Sequence, residues 1–125
     1  MRKFITLMVT LAIGLGLSGP LSSAHHGTAA YDRAHPLTLK GTVTDVQWVN
    51  PHAWIYFDAK DSEGNVVNWG VECGAPNALI RRGVTKASIP VGITIVVKGN
   101  PARDGSHILI LNSVSREDGS PLIPE

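Results

Sequence analysis

Cysteine is the scarcest reactive residue in this chain: there is one, Cys73, in 125 residues. With no partner in the chain it forms no internal disulfide, so stability must come from packing. Charge is sparse too. Only 17% of residues are charged and the formal net charge is +1 at pH 7. That leaves no basic surplus of the kind that marks nucleic-acid or anionic-membrane binding. There is no glycine-rich phosphate loop, no nucleophile motif with a base beside it and no telling pair of carboxylates, so nothing points to an enzyme. The single long apolar run, Phe4 to Leu17, is shorter than the roughly 20 residues a membrane-spanning helix needs.

That run has a different use. Arg2 and Lys3 precede it, Gly19-Pro20 breaks it, and Ser22-Ser23-Ala24 supplies the small residues a signal peptidase reads. Residues 1–24 are therefore expected to be a cleaved signal peptide, with the mature chain starting at His25 and exported to a bacterial periplasm. Losing Arg2 and Lys3 takes the formal charge from +1 to −1. About a hundred residues remain, enough for one modest domain without a membrane span.

Residues 25–36 are polar or small except for Tyr31 and read as an N-terminal arm. The domain proper, 37–125, reads as strands. Leu37 to Trp48 is rich in β-branched residues, but its apolar positions change parity after Val43, and Gly41 lies inside it; together these indicate a bend or bulge. Ala53 to Ala59 and Val66 to Cys73 form the next two strands, joined by an Asp61-to-Asn65 turn. Ala75 to Gly83 has proline at its start, two arginines at its end and a closing glycine, the pattern of a short helix. Ile93 to Gly99 and His107 to Arg116 complete five strands, and a tail follows. The expected fold is all-β: a small five-stranded, OB-like Greek-key barrel with one short helix between strands 3 and 4. A flatter β-sandwich competes with it.

The Ala-His-His start, the core GTVTDVQWVNPHAW, the Trp69–Glu72 pair and the PNALIRRG segment resemble a family of small exported bacterial proteins of unknown function. The resemblance falls on His25, His26, Gly41, Trp48, Asn50, Pro51, His52, Trp54, Trp69 and Glu72. It implies an exported protein of this fold class and carries no established activity. Cys73 departs from the pattern, which favours an apolar residue there.

Three constellations bear on function. Cleavage after Ala24 gives His25 a free α-amine beside its imidazole, and His26 adds a second ring. The amine titrates near 7.7–8.0 and histidine near 6.5, so all of these nitrogens release protons to a metal around neutral pH. Nitrogen donors of this kind suit Cu(II). Cleavage one residue earlier would place His26 third in the chain, and that register also binds copper. The bland alternative is a pair of solvated histidines. The second constellation is Asn50 to Trp54, where His52 is either a further metal ligand or a turn-capping side chain. Trp48, Trp54 and Trp69 have the aromatic bulk of a small core. Alternatively, Asn50, Trp54, Trp69 and Glu72 form a ligand or partner surface. The third is Glu72, read as a surface charge or as the acceptor that orients His52. His35 and His107 are weaker candidates, and Cys73 is expected to be buried and inert.

The reading is thus an exported binding protein without turnover, holding copper through His25, His26 and His52. The rival is a metal-free module for a protein or small ligand. A histidine-first copper enzyme is a third reading, one that nothing else in the chain calls for.

Overall fold

The β-branched run forms one long strand, β1 (Leu37–Gln47), followed by β2 (Trp54–Lys60), β3 (Val66–Glu72), helix α1 (Pro76–Arg81), β4 (Thr94–Pro101) and β5 (Ile108–Arg116). The computed structural model describes residues 27–125, so the expected signal peptide, His25 and His26 lie outside the described residues.

β1 serves two neighbours. Its first half pairs antiparallel with β4 and its second half with β2, the two registers overlapping at Gly41 and Thr42. A strand shared in this way must bend, and the bend has no room for a side chain. A Cβ on Gly41 would stand 2.3 Å from the Asp58 carbonyl oxygen and 2.8 Å from the Phe57 ring. One turn of the pleat later the register slips between Val43 and Asp45. The extra residue lets both Val43 and Val46 face inward, and both are buried. This bulge accounts for the parity change in the sequence.

The neighbour order is β1-β2-β3-β5-β4, closing back onto β1. A closed barrel with this order and with α1 after β3 is the OB arrangement rather than a sandwich. β3 and β5 run parallel and pair over Gly70–Glu72 and Ile108–Ile110. Ile55, Phe57, Val71, Ile95, Val97 and Leu109 fill the interior, each almost wholly buried. Burying side chains of this size is worth about 1.5–3 kcal/mol each.

α1 plugs one mouth. Pro76 occupies its first turn, where a missing N–H costs nothing. Gly83 takes φ +78° and donates its N–H to Ile80 O at 2.9 Å, and Val84 N–H returns to Leu79 O at 3.0 Å. That closure presses Leu79 and Val84 into the core. Among the described residues no helix is long and apolar enough to cross a membrane.

Both flanking segments join the domain. After the Asp118-Gly119 turn the chain folds back, Leu122 N–H donates to Val114 O at 2.9 Å, and Leu122 and Ile123 are buried. The stretch read as a tail is thus a lid on the core. The arm docks against the β4–β5 loop. Asp32 N–H donates to Pro101 O at 2.8 Å and Arg103 N–H to Ala30 O at 2.9 Å, with Tyr31 bridged to Ala102.

Candidate functional site

The site grows from the alternation in β2. Ile55, Phe57 and Ala59 point inward, so Trp54 and Tyr56 point outward, and His52 precedes them on the same parity. Expectation and structure part here over one tryptophan. Trp48 and Trp69 pack against the core, whereas Trp54 lies half-buried on the outer face. Its ring stacks on Tyr56 with centroids 6.2 Å apart and planes 16° from parallel.

β3 supplies the other half. In register, Trp54 lies opposite Glu72 and Tyr56 opposite Gly70. A Cβ on Gly70 would approach the Tyr56 ring to 3.0 Å and the Trp54 ring to 3.6 Å. The bare glycine therefore lets the two aromatic side chains lie across the strand. Two backbone bonds set the Asn50–Ala53 loop against the end of β3: Ala53 N–H to Gly74 O at 3.1 Å and Cys73 N–H to Ala53 O at 2.8 Å. The Asn50–Pro51 peptide in this loop is cis.

The outcome is a three-residue chain of polar contacts. Glu72 Oε1 meets His52 Nδ1 at 2.5 Å, and the Tyr31 hydroxyl donates to Glu72 Oε2 at 2.9 Å. The Glu72 side chain is only 14% exposed while that of His52 is 48% exposed. Glu72 is therefore not a solvated surface charge. Burial, the hydrogen bond to Glu72 and the charges of Glu72 and Asp104 push the Tyr31 phenol up to about 12, so it stays a donor at neutral pH.

Between the arm, β2, β3 and the β4–β5 loop lies a cavity of about 600 Å³, lined by Tyr31, Trp54, Tyr56, Glu72, Arg103 and Asp104 among others. Asp104 Oδ1 accepts from Ser106 N–H at 2.9 Å and from its hydroxyl at 2.6 Å, which shapes the loop. Arg103 reaches Asp32 at 3.8 Å. A second concavity of about 610 Å³, near Ala87 and Glu117, contains no aromatic side chain.

Of the residues singled out in the sequence, the structure brings together His52, Trp54 and Glu72. Asn50 is exposed in the loop and does not line the cavity. Trp69 packs against the core and against the His107 ring, centroids 4.9 Å apart. His35 is bound to Asp32 Oδ2 at 2.9 Å. Cys73 is buried, its thiol pushed up to about 12 by desolvation first and the Glu72 charge second, which leaves it un-ionised. Among the described residues no group of three or more His, Cys, Asp or Glu side chains is placed to hold a metal ion. His52 is one oriented nitrogen donor. Its Nδ1 is held by a carboxylate, and Nε2 has no hydrogen bond among the described residues.

Sequence reading missed Tyr31, Tyr56, Arg103 and Asp104. The alternation His52-x-Trp54-x-Tyr56 carried the signal for Tyr56, and Tyr31 is the one large side chain in the arm. Arg103 and Asp104 carry no such signal. No curated protein matches the chain. A family model, by contrast, spans most of its length: the chain belongs to DUF6152, a family of unknown function, whose model matches residues 15–110.

Proposed function

We propose that this is an exported, periplasmic binding protein that holds copper through the α-amine and ring of His25, the ring of His26 and the ring of His52, and that it carries the ion without turnover. The observation that supports this most is the His52–Glu72 contact at 2.5 Å. A carboxylate beside one ring nitrogen orients the imidazole and leaves the other nitrogen for a metal, as carboxylates behind metal-binding histidines do.

The arm supplies the second support. Tyr31 and His52 grip the two oxygens of the same carboxylate. Thr28–Ala30 form a 3-10 turn directly before Tyr31, closed by Ala30 N–H to Gly27 O at 2.9 Å. The copper reading requires His25 and His26, which precede that turn, to bring their nitrogens to His52. An amine and imidazoles are borderline donors that select Cu(II) over harder cations.

The test is a Cu(II) titration of protein whose first residue is fixed by intact mass. One tightly bound copper is expected, weakened about 10-fold or more by His52→Ala or Glu72→Gln, and lost to a comparable degree when one residue is added before His25. Weak binding that none of these changes alters would reject copper handling.

A further inference from the structure

We propose that the cavity between the arm and the β2–β3 face binds a small organic cation, an ammonium joined to an apolar or aromatic group, held by the Trp54 and Tyr56 rings and the Glu72 carboxylate. This site shares Glu72 with the proposed copper site but needs no metal.

Size comes first. About 600 Å³ falls within the range of small-molecule pockets, roughly 300–1,000 Å³. The position is the face of strands 2 and 3 beside the β4–β5 loop, where OB barrels commonly take ligands.

The lining selects the ligand class. Trp54 and Tyr56 are kept out of the core by strand parity and are stacked as one slab over Gly70. A slab fixed in this way loses little freedom when a ligand packs on it. Aromatic faces attract cations, most strongly where water is excluded. Two carboxylates, Glu72 and Asp104, line the same space. Among the described lining residues the one cationic side chain is Arg103, and its guanidinium leans toward Asp32 at 3.8 Å. The balance of charge is negative, so an anion is repelled and an ammonium is drawn in.

Glu72 has capacity left for a ligand. A carboxylate has about four acceptor positions, and Tyr31 and His52 occupy one on each oxygen. Ala29, Ala30, Ala102 and Ile108 supply the apolar wall for the rest of the molecule.

The experiment uses the unaltered mature protein in buffer containing a metal chelator, so that the copper reading plays no part. Calorimetric titrations compare phenethylammonium with neutral 2-phenylethanol and anionic 3-phenylpropionate. Phenethylammonium should bind at least about ten-fold more tightly than the alcohol, and the carboxylate should not compete. Glu72→Gln should erase the preference for the cation and leave the alcohol's affinity in place. In the unaltered protein the indole N–H resonance of Trp54 should shift on binding while that of Trp69 stays still, so the conclusion does not hang on a variant folding. Equal affinities for the three probes, a preference for the anion, no binding of the ammonium at about 10 mM, or a shift at Trp69 in place of Trp54 would each overturn the proposal.

Discussion

The Tyr31 hydroxyl donates to Glu72 Oε2 at 2.9 Å, joining the arm to the third strand across 41 positions of sequence. That bond, together with one backbone bond to the end of β4 and one to the β4–β5 loop, makes the arm a wall of the cavity. Removing it loosens the wall while leaving the barrel intact. For Tyr31→Phe we expect arm docking to weaken by about 1.5–3 kcal/mol, the range for a hydrogen bond to a charged group. Amide exchange should accelerate in residues 29–33 and stay unchanged in β2. Uniform acceleration across the barrel would contradict this role.

The same phenol sets a high-pH limit. Its value rises from 10.0 in the free side chain to about 12 in the folded protein, through burial and the neighbouring carboxylates. A raised value means the folded state holds its proton longer, so the stabilisation is complete below pH 10 and is lost as pH rises through about 12. Alkaline spectrophotometric titration should show a late phenolate step that disappears in Tyr31→Phe. A variant whose titration matches that of the parent would rule out the assignment.

Two glycines should respond very differently to alanine. At Gly41 the new Cβ would overlap a backbone oxygen at 2.3 Å, and backbone moves only by distorting β1 and β2. A loss of about 3 kcal/mol or more is expected, or failure to fold. At Gly105, with φ +81° and nothing within 4 Å, the cost is only the left-handed backbone, about 1–2 kcal/mol. Urea unfolding of the two variants checks the order, and a Gly41→Ala protein as stable as Gly105→Ala would refute the shared-strand account.

Cys73 should resist thiol reagents in the folded protein. It is buried, its Sγ lies 3.6 Å from Val71 O, and desolvation keeps it protonated. Labelling should track global unfolding in urea. Rapid labelling under native conditions would mean that the end of β3 opens by itself.

The barrel was legible because it is written in local patterns. The parity change between Val43 and Val46, the alternation in β2 and β3 and the proline-to-glycine frame of α1 each have a short-range cause. The helix ends as Gly83 requires, and the bulge falls where the parity changes. The pairing of His52 with Glu72 was readable as an option, since β2 and β3 form a hairpin. What was not legible is whatever depends on distant contact. Nothing near Trp54 distinguishes it from Trp69 in composition, and strand parity separates them only once the inward face is known. Tyr31 finds Glu72 through the closure of the whole barrel. Leu122 and Ile123, an apolar pair between prolines, have no periodicity to announce that they are core.

β3 and β5 are stitched together over only Gly70–Glu72 and Ile108–Ile110, with one further bond from Gly70 N–H to His107 O at 3.0 Å. Glu72 and Ile108 of that seam also line the cavity. Any molecule seated there spans the join on which the closed cylinder depends and acts as a rivet across it. Occupancy would then be felt as mechanical stiffness: by linkage, a ligand bound only to the closed form raises the cost of prising the seam apart, and the barrel's weakest stave would record whether the site is full.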